Sequence, residues 1–280
     1  MAATLASIAP AVDLLVVNDN SGLERSENHE TLARSAFARG GRLVLVRRPF
    51  VDFAQMRNCT LEVLAGLERP PDWVLHLDAD EVHGTQIAGL ARRILPRLSP
   101  KVVALDAYTY NFFGTFDWIS DLSRRFIFFR FAPHLRWRNQ VHEKLFGLDG
   151  TTVVAPYAYH HYGNVASPEA LARKHGRYYD LGNRVPPPPL PEAATLELFL
   201  ARAADVRPFR GSHPAQVRRL LAELRARNGD LFDALDRGFR ERRGSADRLR
   251  GRIAGFHERA RVELRRLERR AWSSLPTIAR

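Results

Sequence analysis

The 280-residue sequence has one cysteine, two methionines, three lysines and no apolar run long enough to cross a bilayer. Cys59 alone cannot form a disulfide within the chain, which fits a reducing cytosol. The opening MAATLASIAPA lacks the basic flank of a secretory signal and is too short to span a membrane. These absences imply a cytoplasmic protein, soluble or peripheral on the inner face of the membrane. With only Lys101, Lys144 and Lys174 as lysines, nearly all of the 43 basic residues are arginine, and the net charge is +12. That surplus accompanies either a GC-rich genome or an anionic partner such as a nucleotide, an acidic lipid surface or nucleic acid. A hydrophobic content of 45% supplies an ordinary core.

Against this positive background, DWVLHLDADEVHG (72–84) gathers acids. Val74, Leu75 and Leu77 read as a buried strand; Asp78, Asp80 and Glu81 follow at once, with His76 and His83 on either side. Upstream, Val12 to Val17 reads as a strand that ends in turn residues, Asn18 to Gly22. A helix is expected over 28–39, a strand over Arg42 to Val46, and a helix from Phe53 to about Leu67 capped by Asp52. Trp73 to Leu77 forms the third strand and 85–97 a further helix. Strands alternating with helices imply a parallel α/β sheet.

After Pro100, strands are expected over Val102 to Tyr108, Arg125 to Phe131 and Val153 to Tyr159, some of them antiparallel. Ser167-Pro168-Glu169 opens a helix that carries Arg173, Lys174, Arg177 and Tyr178-Tyr179. The division is therefore 1–184 as an α/β domain, 185–191 as a proline-rich linker, and 192–280 as an arginine-rich helical region. In that last region a helix from Ser212-x-Pro214 stops at Asn228-Gly229, and another runs from about Ser245 to Trp272. The apolar seam of the final helix packs on the body or on a second copy of the chain, or lies on an anionic membrane.

Ligands of open α/β sheets bind beyond the carboxyl ends of the strands, where Asp19 and the 78–81 acids sit. Three acids within four residues repel one another, and a divalent cation removes that cost. Asp-x-Asp offers hard oxygen ligands on one side of an extended segment, suited to Mg²⁺ or Mn²⁺. The competing reading is a solvated turn whose acids cap the next helix, Glu81 among them.

The rest of the sequence bears on that choice. In chain order come Asp19-Asn20-Ser21, FAQMRN (53–58), LDADE (77–81), Trp137 to Glu143 (WRNQVHE), and His161-Tyr162-Gly163. This order resembles the family-2 glycosyltransferases of the GT-A fold, bacterial members in particular, over about residues 5 to 182. The resemblance begins inside that family's first helix, so it implies a sheet without the family's first strand. It further implies a mixed sheet flanked by helices, with a metal-dependent, inverting transfer of sugar from a nucleotide-sugar donor to a glycan or lipid-linked acceptor, as in envelope polysaccharide or glycolipid synthesis.

By the same resemblance Asp19, Arg57, Asn58 and Asp78 bind the donor, and Asp80 holds the metal. His161 is a further metal or phosphate ligand, with His160 as the alternative. Glu143 is the general base, with His142 as its support or the base itself. Arg57 pairing with Asp80 is the structural alternative. Two other functions compete: a non-catalytic relative used as a scaffold, and a basic nucleic-acid-binding protein. The acidic cluster and the absence of a nucleic-acid motif argue against the latter.

Overall fold

The computed structural model describes residues 1–20, 27–182, 196, 200 and 205–250. The proline-rich linker and the part of the expected final helix beyond residue 250 lie outside the described residues. The described elements make a mixed α/β protein with a curled mixed sheet and a helix from the C-terminal region packed on it.

Helix α1 (Ala2–Ile8) leads into β1 (Leu15–Asn18), which pairs in parallel with β2 (Leu43–Val46). The helix expected over 28–39 is two short ones, α2 (Glu27–Ala33) and α3 (Ala36–Arg39). The Ser35 hydroxyl breaks the run by accepting the Ala38 N–H and starting a new cap. Asp52 caps α4 (Phe53–Ala65) as expected, its carboxylate accepting the Gln55 N–H at 2.7 Å. Then come β3 (Trp73–Leu75) and β4 (Glu81–Val82).

The helix expected over 85–97 is only one α-turn, α5 (Gln86–Gly89), followed by a wide turn to Ile94 and a tight one to Arg97. Pro96 supplies no N–H to a regular helix, and the looser winding absorbs it.

The long strands are longer than their apolar runs suggested. β5 (Val102–Phe113) and β6 (Thr115–Arg130) form an antiparallel hairpin closed at Gly114, whose φ of 73° suits glycine. A small ribbon, β7 (Arg136–Arg138) with β8 (Lys144–Phe146), precedes β9 (Thr151–Asn164). β9 runs parallel to β5 and antiparallel to β4, while β3 and β10 (Arg207–Pro208) both pair antiparallel with β6. The sheet is mixed, with antiparallel strands after Pro100 as expected; the correction is that β3 joins it antiparallel to β6 and is not paired in parallel with β1 or β2. β1 and β2 form a separate pair.

Helix α6 (Pro168–Asp180) is capped by Ser167. Helix α7 (Arg218–Arg250) is two helical stretches that meet at a kink, where Asn228 leaves helical geometry with φ −123°; the first stretch ends at Asn228-Gly229 as expected. Its Leu235 and Phe239 pack on Phe113 and Trp118, and its Leu221 and Phe232 on Phe112 and Ile119. Asp236 accepts from the Trp118 indole at 2.8 Å, and Arg225 donates to Asp117 at 2.5 Å. The apolar contacts carry this docking; exposed ion pairs add little. Among the described residues no helix is long and apolar enough to cross a membrane.

Three buried histidines make the fold acid-sensitive. Burial lowers His76 and His83 to about 3 and His160 to about 4, from 6.5, with nearby Arg57, His160 and His213 adding to the respective shifts. A depressed histidine contributes stability at neutral pH that is lost as pH falls below 6.5. Glu81 acts oppositely: burial, then the Asp78 charge, raise its carboxyl from 4.5 to about 7, so its contribution is lost as pH rises. At pH 5 to 6, unfolding lets three histidines gain protons and Glu81 lose one, a net uptake of two. Stability should fall as pH drops across that interval, by about 3 kcal/mol per pH unit. Urea unfolding at pH 6.0, 5.5 and 5.0 checks this; a flat profile would contradict it.

Candidate functional site

The site forms where β3 runs out and β4 begins. Asp78 folds back so that its N–H reaches Glu81 Oε2 at 2.9 Å. Glu81 is 2% exposed; its Oε1 also accepts from Arg125 at 2.6 Å and from the Tyr159 hydroxyl at 3.3 Å. Glu81 therefore ties the acidic turn to β6 and β9 rather than capping the following helix. Arg125 was missed from sequence. It lies in β6 among SRRFIFFR, where an arginine in a strand-forming run was the available signal for a buried acid partner.

Arg57, in the second turn of α4, donates Nε to Glu143 at 2.5 Å and Nη2 to Asp78 at 3.1 Å, while Nη1 lies 2.9 Å from His76 Nδ1. Its guanidinium stacks on Trp137, with Cζ 5.2 Å from the ring centroid. The pairing with Asp80 weighed as an alternative is absent: Arg57 takes Asp78 and Glu143 instead. Burial opposes the ionisation of Asp78, but Arg57, His76 and Arg125 outweigh it and hold the carboxyl well below its ordinary range. Arg57 thus spends its donors inside the protein and fixes two acids from distant segments.

Asn58, on the next position of α4, donates to the Trp137 carbonyl at 2.9 Å and accepts the Trp137 N–H at 2.8 Å. Both ends of its amide clamp β7 to α4. This brings the 137–143 segment to the site, and Asn58→Ala should lower stability by about 1–2 kcal/mol through two orphaned backbone groups. A thermal melt shifted by less than 1 °C would contradict the clamp. In the turn after β7, Asn139 and His142 have φ of 75° and 55°. Glu143 is drawn inward by Arg57, and His142 is exposed.

On the opposite side, β9 delivers His161 to Asp80, with Nε2 and Oδ1 3.5 Å apart. His161 Nδ1 is 2.8 Å from Asn111 Oδ1, and Asn111 Nδ2 in turn reaches Ser123 Oγ at 2.9 Å and also Asp121. An acceptor at Nδ1 fixes a proton there, and Nε2 is the nitrogen turned toward Asp80. Asp80 Oδ1 is buried without a hydrogen-bond partner. A proton on Nε2 or a cation between the two atoms satisfies both. Burial raises the Asp80 carboxyl, yet the His161 contact and charge, with Lys174, leave it below its ordinary value. Lys174 of α6 donates to the Gly163 carbonyl at 3.0 Å.

Gly163 has no room for a side chain: an added Cβ would stand 2.5 Å from Asp80 Oδ2 and 2.6 Å from His161 Nε2. His160, by contrast, is stacked with Phe112 and Tyr162 and meets Phe209 edge-on in the core, so His161 is the one of the pair at the site.

Tyr178 of α6 closes the cluster. Its ring packs edge-on against Phe53 with Lys174 over its face, and burial, then the charges of Asp78, Asp80 and Glu143, raise its phenol above the ordinary value. Asp19, at the end of β1, lines the same cavity as Asp78, Arg57 and Asn18. Asp78, Asp80, Arg57, Glu143 and His161 are therefore brought together, Asp19 flanks them, and Asn58 serves from behind.

Among the described residues, no group of three or more His, Cys, Asp or Glu side chains is placed to hold a metal. The Asp80–His161 pair still fits a hard cation that takes two protein ligands and draws the rest of its shell from substrate oxygens and water. The orphaned Asp80 oxygen and the space kept by Gly163 support that fit.

No protein-family model matches this chain, and no curated protein matches it in sequence. What the geometry defines is an α/β protein with a half-buried, acid-rich site at the carboxyl end of β3, edged by Arg125 and Lys174.

Proposed function

We propose that the chain is a glycosyltransferase of the GT-A fold, moving a sugar from a nucleotide-sugar to an acceptor hydroxyl with inversion, in envelope polysaccharide or glycolipid synthesis. The observation that carries this reading is the Asp80–His161 pair: an orphaned carboxylate oxygen 3.5 Å from an imidazole nitrogen whose other nitrogen is fixed by Asn111. Asp80 and His161 would hold Mg²⁺ or Mn²⁺. Bound there, the ion would neutralise the departing diphosphate.

The chain's own residues supply the remainder. Lys174 presents an ammonium beside Asp80, where phosphate oxygens would lie. Asp19 and Asp78 offer carboxylates to ribose or base hydrogens at the flanking strand ends. Glu143 takes the proton of the attacking hydroxyl, its orientation set by Arg57 at Oε1. One base and one displacement invert the anomeric centre. The exposed His142 next to it is the candidate for guiding the acceptor.

The experiment is donor hydrolysis or transfer measured over a panel of nucleotide-sugars with Mn²⁺, with and without chelator. Turnover with one donor that stops on chelation supports the reading; activity unaffected by chelation removes the metal from it. Gly163→Ala, which crowds both metal-binding side chains, should weaken the Mn²⁺ response at least tenfold with little change in melting temperature.

One observation favours a second reading, a non-catalytic scaffold. The space between β1 and β3, which borders the donor side of the site, is a cavity rather than packed sheet. No binding of any nucleoside diphosphate in the presence of Mn²⁺ would select it.

A further inference from the structure

Three strands set polar side chains in a row across the sheet. Asn111 of β5 stands opposite Asp121 of β6 on one side and His161 of β9 on the other. Directly opposed residues project from the same face, close enough for their side chains to meet. Asn111 Nδ2 donates to Asp121 and, two residues along β6, to Ser123 Oγ at 2.9 Å. Asn111 Oδ1 lies 2.8 Å from His161 Nδ1, and His161 Nε2 lies 3.5 Å from Asp80 Oδ1. The contacts thus run from the exposed carboxylate of Asp121, through an amide and an imidazole, to the carboxylate of the candidate site.

Each link has only one sense. The oxygen and nitrogen of an amide are alike in shape, so its partners decide which way it faces. A carboxylate accepts and cannot donate. Asp121 therefore claims the Asn111 amino group, and the amide turns its oxygen to His161. That oxygen has no proton to give, so the proton between it and the ring belongs to Nδ1. In a neutral imidazole one nitrogen is protonated and the other bears the lone pair, which leaves Nε2 as the atom able to ligate a metal.

The ring alone would choose otherwise. An unrestrained histidine in water carries its proton mostly on Nε2, and the Asp80 oxygen facing Nε2 draws it the same way. The contact at 2.8 Å outweighs the one at 3.5 Å, which is beyond the ordinary N–H···O range.

We propose, on the reading of Asp80 and His161 as a metal pair, that Asn111 is a positioning residue. Turned by Asp121 and Ser123, it fixes His161 in its Nδ1–H form and so makes Nε2 the ligating atom. Metal-binding histidines commonly give their other N–H to such a partner, and losing it costs roughly ten- to a hundredfold in metal affinity. Asp121 acts only through the amide, two contacts removed from Asp80.

The test reads the His161 ring nitrogens by long-range proton–nitrogen correlation in the metal-free chain, with His161→Gln assigning the signal among the ten histidines. Spectra are taken above the pH at which the signal stops moving, so that the ring is neutral. Mn²⁺ affinity is read in parallel from the paramagnetic resonance of the free ion. The expected result is the Nδ1–H pattern in the wild type. Asn111→Leu should give the Nε2–H pattern and bind Mn²⁺ at least tenfold more weakly. Exchanging the partners, Asn111→Asp with Asp121→Asn, keeps an acceptor toward His161 and a donor behind it. That chain should recover the Nδ1–H pattern and most of the affinity, which a merely structural role for Asn111 would not bring about. The wild-type and exchanged chains carry the test even where Asn111→Leu unfolds. The Nε2–H pattern in the wild type, or Nδ1–H retained in Asn111→Leu, would overturn the role of Asn111 even with Mn²⁺ bound. The Nδ1–H pattern in a wild type that binds no Mn²⁺ would instead overturn the metal reading and leave the hold of Asn111 on the ring standing.

Discussion

If the chain transfers sugar as proposed, Asp80→Ala should abolish transfer, by a factor of about 10³ or more, while the protein keeps its melting temperature within a few degrees. The magnitude is that of removing a group that stabilises charge developing on a leaving group. The fold is spared because Asp80 is not a brace of the acidic turn. Its backbone carbonyl accepts the Tyr162 N–H at 3.0 Å, which alanine retains. Alanine removes the contact of its carboxylate with His161 and its attraction to the Lys174 ammonium. Glu81 and Arg125, which brace the turn, are untouched. Circular dichroism with a donor-turnover assay decides the matter: activity within tenfold of wild type would take Asp80 out of the chemistry.

Arg57→Ala has the largest expected effect on stability, a loss of about 3–5 kcal/mol. Arg57 and Glu143 are 11% and 13% exposed, so the variant leaves a carboxylate mostly buried with its cation gone. Asp78 suffers less, because Arg125 remains 3.6 Å away. His76 loses the contact to its Nδ1, and Trp137 loses the guanidinium stacked on it. Arg57→Lys should recover little, since one ammonium cannot reach three acceptors in different directions. The double variant Arg57→Met with Glu143→Gln should be more stable than Arg57→Ala, because the stranded charge is gone. Urea midpoints of the three variants measure this, and equal midpoints for Arg57→Ala and wild type would contradict the ion-pair argument.

What the sequence disclosed, and what it did not, follows from the range of each signal. Local chemistry was readable. Asp52 and Ser167 cap the helices they were expected to cap, and the apolar runs at β1, β2 and β3 are strands. The acid-rich turn and the VHE segment do converge, as their order along the chain suggested.

Long-range pairing was not readable. A mixed sheet with antiparallel strands was expected, but which strands β6 accepts on each edge, β3 and β10, was not, and no local pattern encodes that. The ends of β5, β6 and β9 were underestimated because polar residues there pair across strands: Asn111 with Ser123, and Asp106 with Arg124. Seen alone, such residues look like loop. Arg57 and Asn58 were assigned by resemblance to the donor, yet their donors are engaged by Glu143, Asp78 and the Trp137 backbone. Only coordinates distinguish a residue that touches a ligand from one that shapes the wall behind it. The cavity between β1 and β3 is likewise a property of assembly: both strands read as ordinary apolar runs.

The central claim is that Asp80 and His161 complete their coordination with a divalent cation and a diphosphate. Titration calorimetry of nucleoside diphosphates against the chain, with and without Mn²⁺, tests it most directly, with Asp80→Asn as the control. The account predicts binding of at least one diphosphate that requires Mn²⁺ and is lost in Asp80→Asn. Binding that is the same without metal, or unchanged in that variant, would contradict it.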